Sequence, residues 1–240
     1  MTPLPTLLSQ ALIAFTIEFD NEFEHRMPHR TATGPRGNGP WLTSMAMWSN
    51  FMRFVPDGGI PLAALAANAR ITNLAGLERW GYIVLEGTAE GTKADRTVRL
   101  KPGGVAALKV WRPLGAEIED RWQERFGRPR IDRLRRALTE LADPRLPLYL
   151  PVVGYGDGMR SDHVTPTEAD QPAGDLAALL SRVLLAFTLA FERESTLSMP
   201  MSVDVLRVLD ADGVRARDLP RRSGCSREGI ASAVKFLVRA

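Results

Sequence analysis

The sequence predicts a mostly α-helical fold with small β-hairpins, organised as two related repeats in one chain. One observation is a long internal repeat, in which residues 7–22, LLSQALIAFTIEFDNE, match residues 179–194, LLSRVLLAFTLAFERE. A second is the stretch 218–237, DLPRRSGCSREGIASAVKFL, which has the start and stop signals of two short helices joined by a tight turn. A third is the segment 82–100, whose two strand-like ends flank a tip rich in Gly and Thr and predict a β-hairpin.

The composition is that of a soluble globular protein and limits where it can work. Of the 240 residues, 45% are hydrophobic and 25% are charged, and the net charge is +3. A single cysteine excludes an intramolecular disulfide framework and favours a reducing compartment. A secretory signal requires cations near the N-terminus, but no Lys or Arg precedes Arg26. No apolar run reaches the roughly 20 residues of a membrane span. We therefore expect a cytoplasmic protein without a membrane partner.

Helical spacing of apolar residues predicts most elements of the first repeat. The expected helices cover residues 4–23, 41–55, 61–68, 72–80, 102–126 and a stretch after residue 130 that ends before Pro144. The expected hairpin strands are residues 82–85 and 96–100. Two segments rich in Gly and Pro, residues 29–40 and 147–172, have no clear period and predict loops.

The internal match extends beyond the first helices and defines the predicted organisation. The same offset pairs Met27-Pro28 with Met199-Pro200, and Asp57-Gly58 pairs with Asp212-Gly213 once residues 29–40 are treated as an insertion. A match of this length indicates a tandem duplication. We expect a first repeat over residues 1–146, a connector over 147–174 and a second repeat over 175–240.

The pattern of residues 218–237 is typical of a helix-turn-helix. Leu219 anchors a first helix, and Gly224 can adopt the left-handed conformation that ends it. Ser226 stands at an N-cap position with Glu228 in the first turn of the next helix. That second helix has one apolar stripe, formed by Ile230, Val234 and Leu237.

Basic residues are concentrated in the same region. Between residues 213 and 240 the anions are Asp218 and Glu228, whereas the cations are Arg215, Arg217, Arg221, Arg222, Arg227, Lys235 and Arg239. Such a concentration is a candidate electrostatic footprint for phosphate. The alternative interpretation is an ordinary helical hairpin with a solvated basic face.

Two stretches carry a resemblance to a known family. Residues 95–104, DRTVRLKPGG, are similar to the wing signature of MarR-type winged helix-turn-helix regulators, and residues 219–237 are similar to the two DNA-contacting helices of that family. The order of the predicted elements also resembles that family: two helices, a short strand, two helices, a hairpin and a long helix. The resemblance implies a winged helix-turn-helix fold in each repeat, and sequence-specific binding of double-stranded DNA in transcriptional regulation.

The resemblance also implies roles for individual side chains. Asp95 would orient Arg96 toward the minor groove or its phosphates. Base contacts would come from Ser226, Arg227 and Ser232, since an arginine can bind guanine with two hydrogen bonds. Further phosphate contacts would come from Lys93, Arg99, Arg221, Arg222 and Lys235. The first repeat would offer Thr72, Asn73 and Arg79 on a shorter recognition helix.

The two repeats are unequal. The predicted first recognition helix has only about two turns, whereas the second repeat stops at Ala240, where its wing is expected. Either the sequence is a fragment or the second repeat has no wing. Because family members act as homodimers, we expect either a monomer with an internal pseudo-dimer, joined through helices 4–23 and 176–191, or a homodimer. The internal arrangement predicts an asymmetric DNA site.

Other function classes receive less support. A winged-helix module for protein interaction or dimerisation, without base-specific DNA binding, is the main alternative. We expect no enzyme, cofactor or metal site: His25 and His29 are separated by Pro28, and no nucleophile motif or phosphate-binding loop is complete. A small-molecule effector is a further expected partner, since Trp41, Trp48, Trp80, Phe51 and Met52 either line a pocket or, as we favour, form core. Cys225 is either a redox sensor or, as we favour, a packing residue.

Overall fold

The computed structural model describes residues 2–27, 44–69, 74–87, 96–151, 160–161, 164 and 174–239. Most of these residues are helical, and a small antiparallel sheet accompanies the helices. The helices of the first part are α1 (Leu4–Arg26), α2 (Met45–Asn50), α3 (Leu62–Asn68), α4 (Leu74–Arg79), α5 (Pro102–Phe126) and α6 (Arg128–Leu141). Those that follow are α7 (Leu176–Glu194), α8 (Met199–Leu206), α9 (Leu219–Ser223) and α10 (Arg227–Leu237).

The helices α1 and α7, which carry the repeated sequence, pack against each other and both contribute to the main core. The buried stripe of α1 lies at helical spacing and includes Leu8, Leu12, Phe15, Phe19 and Phe23. Helix α7 is buried around most of its N-terminal half, because α1, α5 and α6 surround it there. The main core therefore forms across the two repeats and not separately within each.

The sheet consists of β1 (Ile60–Pro61), β2 (Ile83–Glu86) and β3 (Thr97–Leu100), in the order β1-β3-β2. All pairs are antiparallel, with Ile60 opposite Val98 and Val84 opposite Arg99. The expected hairpin strands are thus present, with three of their four limits shifted by one residue and the end at Leu100 as expected. Of the expected tip, residues 86–94, all but Glu86 and Gly87 lie outside the described residues.

Several element limits differ from those predicted. The expected helix 41–55 is instead α2 followed by a short 3₁₀ helix, Met52–Phe54, while residues 41–43 lie outside the described part. Helix α5 matches its expected limits, but α6 begins directly after Gly127, where a break of four residues was expected. Gly127 has φ +91°, so one left-handed residue suffices to redirect the chain.

A buried carboxylate links the first helix of each repeat to the second. Asp20 of α1 accepts a hydrogen bond of 2.6 Å from the Met45 N–H at the start of α2. Glu192 of α7 accepts one of 3.0 Å from the Met199 N–H at the start of α8. Asp20 follows Leu7 by 13 residues and Glu192 follows Leu179 by 13, so the two acids occupy matching places in the repeated sequence.

These hydrogen bonds correct the pairing of Met27-Pro28 with Met199-Pro200. The residue that occupies the place of Met199 is Met45, and the sequences around them, SMAM at 44–47 and SMPM at 198–201, agree. The pairing of Asp57-Gly58 with Asp212-Gly213 is corrected in the same way. The glycine that matches Gly213 is Gly59, because these two have the left-handed conformation after the second helix of each repeat, with φ +77° and +83°. Both corrections give an offset of 154 residues, since 199 − 45 and 213 − 59 are each 154.

Burial gives Asp20 a pH-dependent effect on stability. Desolvation raises the pKa of its carboxyl from 3.8 to about 6, and the Met45 N–H only partly opposes this. Because the folded-state pKa is the higher one, Asp20 favours folding progressively more as the pH falls from about 7 to about 4. We expect Asp20→Asn to raise the free energy of unfolding by about 1–2 kcal/mol at pH 8 and to change it little near pH 4.

Urea unfolding of both proteins at the two pH values measures this difference. Asparagine keeps a side-chain oxygen that can accept from Met45, so the comparison isolates the charge. An equal difference at both pH values would contradict the assignment of the titration to Asp20.

Candidate nucleic-acid interface

Helices α9 and α10 form around two local backbone signals that the sequence predicted. Gly224 has φ +78° and ends α9, with its N–H donating to the Pro220 carbonyl at 2.9 Å. Ser226 then caps α10, as its hydroxyl accepts from the Gly229 N–H at 3.0 Å. Both positions confirm the predicted end of the first of these helices and the predicted start of the second.

A small separate core holds α8, α9 and α10 together. Its buried members are Val205, Leu219, Ile230 and Ala233. The expected stripe residues Val234 and Leu237 pack at its edge. Because this core occupies one face of α10, the rest of the helix remains exposed, and it carries Arg227, Glu228, Ser232 and Lys235.

The candidate phosphate ligands Arg221 and Arg222 are exposed at the end of α9. Arg222 donates from Nη1 to Oδ2 of Asp210 at 3.1 Å, and about half of each of these side chains is exposed. An exposed ion pair of this kind contributes little to stability. Arg222 can therefore exchange its carboxylate for a phosphate at small cost.

The first-half candidates are arranged differently. Arg79 is exposed at the end of α4, with its guanidinium 5.7 Å from the Trp80 ring centroid. Arg96 is half-buried just before β3. Arg99 donates to Glu86 and to the Gly58 carbonyl, each at 2.5 Å, so a phosphate contact would have to displace these partners. The candidates Thr72, Asn73 and Lys93, like Asp95, lie outside the described residues.

Sequence reasoning missed Arg207, which connects α8 to the end of α9. Its Nε lies 3.2 Å from Oδ1 of Asp204, and its Nη2 donates to the Ser223 carbonyl. The internal repeat contains a signal for it, because Arg207 follows Met199 by eight residues and Arg53 follows the matching Met45 by eight. Arg207 thereby fixes the turn that precedes α10.

Cys225 lies partly buried against the small core. Burial raises the pKa of its thiol above the ordinary value, and Asp204 acts in the same direction. The helix start and the neighbouring arginines therefore do not lower the pKa of this thiol below its ordinary value. This environment agrees with the favoured packing role.

The aromatic residues of the first half also form core. Trp48 is completely buried between Phe23 and Tyr82, with ring centroids 5.5 and 5.4 Å away in edge-to-face arrangements. Phe51 and Met52 are buried beside it, and Trp80 packs against the same core, whereas Trp41 lies outside the described part. The favoured interpretation is therefore confirmed for the described members of this group.

A metal site or a membrane-spanning segment would show in the described ranges as clustered ligand side chains or as a long apolar helix. Among those residues, no group of three or more His, Cys, Asp or Glu side chains is arranged to hold a metal ion. Of the helices built from them, none combines the length and the apolar character needed to cross a membrane. Comparison of the chain with protein families, curated proteins and solved structures finds no match.

Proposed function

We propose that this protein is a sequence-specific double-stranded DNA-binding transcriptional regulator that uses α10 as its recognition helix. The observation that carries the proposal is the arrangement of α8, α9 and α10, whose shared core turns the face with Arg227, Ser232 and Lys235 outward. A helix of 11 residues whose exposed side carries Arg227 and Lys235, with Glu228 as the one acid of the helix, has the dimensions for entry into a major groove.

Each candidate DNA-contacting side chain in the described residues has a proposed role. Base edges are contacted by Ser226, the N-cap of α10, by Arg227 in its first turn and by Ser232. Arg221, Arg222 and Lys235 contact phosphates and position the helix. In the first half, Arg96 is the proposed minor-groove or phosphate ligand beside the sheet, which serves as the wing of a MarR-like winged helix.

The first half is proposed to act mainly as a scaffold. Helix α4 has six residues, against 11 in α10, and among the described residues in and next to α4 only Arg79 is basic. The packing of α1 on α7 supports an internal pseudo-dimer formed by the two repeats. The DNA site should accordingly be asymmetric, with most sequence discrimination on the side that α10 contacts.

Selection from a pool of random duplex DNA tests the proposal. We expect wild type to enrich one motif and Arg227→Ala to lose at least one base preference, with binding to that motif weakened about 10-fold or more. Arg96→Ala should weaken binding to all sequences similarly and reduce the slope of log affinity against log salt by about one.

Arg136→Ala is the matched control for charge. Arg136 is exposed on α6, which does not belong to the α8–α10 unit, so its removal should leave both the motif and the affinity unchanged. Equal losses in Arg227→Ala and Arg136→Ala would mean that only net charge matters, which would contradict recognition by α10.

The alternative function, a protein-interaction or dimerisation module, is favoured by the short helix α4 of the first half. Salt separates the two, because phosphate contacts lose affinity steeply as salt rises, whereas an apolar protein interface changes little. An absence of duplex retention at about 50 mM salt would favour this alternative.

A further inference from the structure

Arg160 belongs to the predicted connector and lies against the C-terminal end of α7, where the chain turns toward α8. Its Nη1 donates to the carbonyls of Ser195 at 2.7 Å and Leu197 at 3.3 Å, and its Nη2 donates to the Glu192 carbonyl. The last carbonyls of a helix have no partner within the helix, and they carry the negative end of its dipole. The guanidinium therefore stabilises this turn both as a hydrogen-bond donor and as a cation.

Ser161, the next residue, fastens the connector at the same place. Its backbone N–H donates to Oε2 of Glu192 at 2.6 Å, and Ser161 itself is buried. The other carboxylate oxygen, Oε1, accepts from the Met199 N–H at the start of α8. One side chain of α7 thus holds the connector with one oxygen and α8 with the other.

Val164 attaches this part of the connector to the rest of the molecule. Its N–H donates to the Ser161 carbonyl at 2.8 Å, and its side chain packs against an apolar cluster that includes Leu146 and Leu185. Leu146 follows α6, and Leu185 lies in the middle of α7. We call Arg160, Ser161 and Val164 the connector clip.

The connector clip lies where the orientation of the α8–α10 unit is determined. The unit has a small core separate from the main core, and α7 is its principal neighbour among the described helices outside the unit. The chain between Glu194 and Met199 has four residues, so a change of backbone angles there would move the whole unit, as at a hinge. Two of the carbonyls that Arg160 binds belong to these four residues, so the clip restricts this hinge.

We propose that Arg160 is a positioning residue for DNA binding, which holds the α8–α10 unit at one angle to the rest of the molecule; this rests on the proposed function. With the angle fixed, α10 and Arg96 beside the sheet bind one duplex together, and the entropy of ordering the unit is lost on folding and not on binding. Without the clip they would act as two sites joined by a flexible turn, each at a lower effective concentration for the other.

The orientation of the unit is measured first without DNA, by pulsed electron paramagnetic resonance between two spin labels on the full chain. The labels are attached at Ala137→Cys on α6 and Ala231→Cys on α10, which are exposed positions, and Cys225→Ser removes the native thiol. We expect one narrow distance distribution. Adding Arg160→Ala should make it at least about twofold broader, because the turn then samples more backbone angles.

Arg193→Ala is the matched control for this measurement. Arg193 is an exposed arginine in the last turn of α7 and is not part of the connector clip, so its removal should leave the distance distribution unchanged. Arg160→Gln keeps an amide donor and should broaden the distribution less than Arg160→Ala does. This milder variant decides the question if Arg160→Ala does not fold, which circular dichroism shows.

Affinity for the duplex motif that the wild type selects tests the consequence for DNA binding. Arg160→Ala should weaken this binding about 10-fold with the same base preferences, and Arg193→Ala should leave it unchanged. Arg96→Ala should also reduce affinity less in the Arg160→Ala protein than in the wild type, because the two sites no longer act together. If Arg160 were simply a phosphate ligand, the two losses would be additive.

The two measurements separate this proposal from the proposed function. An unchanged distance distribution in Arg160→Ala would overturn the clip, whatever the DNA result. A broader distribution with unchanged affinity, or additive losses with Arg96→Ala, would overturn the positioning role. If the wild type selects no motif, the role in DNA binding fails with the proposed function, while the distance measurement still decides whether the clip orients the unit.

Discussion

Glu192→Ala is expected to lower the free energy of unfolding by about 3–5 kcal/mol, because it removes one carboxylate that satisfies two buried backbone donors. The Ser161 N–H donates to Oε2 at 2.6 Å, and the Met199 N–H donates to Oε1 at 3.0 Å. Glu192 is 2% exposed, so water cannot replace these bonds without local opening.

The effect should be concentrated in the second repeat. Met199 is the first residue of α8, so loss of the carboxylate loosens the attachment of α8, α9 and α10 to α7. We expect hydrogen exchange at residues 199–237 to accelerate more than exchange in α1 and α5. Local opening of this kind has its own free energy, separate from that of global unfolding.

Two further variants sharpen this test. Glu192→Gln keeps one acceptor oxygen and should lose about half as much stability as Glu192→Ala. Glu194→Ala removes an exposed carboxylate two residues away and should stay within about 0.5 kcal/mol of wild type. Similar losses for Glu192→Ala and Glu194→Ala would show that the two buried donors do not depend on Glu192.

Local sequence signals predicted those parts of the fold that local chemistry determines. The limits of α5 follow from Pro102 at its start and Gly127 after its end. The turn between α9 and α10 follows from Gly224 and Ser226, because a left-handed glycine and a capping hydroxyl act within a few residues. The exposure of Arg227, Ser232 and Lys235 on α10 follows from the same helical spacing that places Ile230 in the small core.

Features that depend on distant contacts could not be predicted in the same way. The pairing of Met27 with Met199 failed because a dipeptide match cannot show which methionine a buried carboxylate caps. Arg182 resembles a surface charge in sequence, yet it is 1% exposed, since the Leu146 carbonyl and the surrounding helices enclose it. A pocket between α1 and α8 is formed by separate chain segments, so no single motif indicates it.

The glycine pair after Pro102, noted in sequence through its resemblance to a wing signature, has a direct physical role at Gly104. A Cβ atom at Gly104 would lie 2.2 Å from the Tyr82 carbonyl oxygen. That oxygen already accepts from the Lys101 N–H at 2.9 Å, which holds the start of α5 against the start of β2. Only glycine permits this close approach of helix and strand.

Gly104→Ala is therefore expected to lower the free energy of unfolding by about 3 kcal/mol, because the methyl group must push α5 away from Tyr82 and weaken the Lys101 hydrogen bond. Gly58→Ala is the control, since a Cβ there meets no atom within 4 Å, and it should change stability by less than about 0.5 kcal/mol. Urea unfolding of the two variants measures the difference. If Gly104→Ala were as stable as Gly58→Ala, α5 could not sit this close to β2, and the sheet would not be fixed to the helical core at this point.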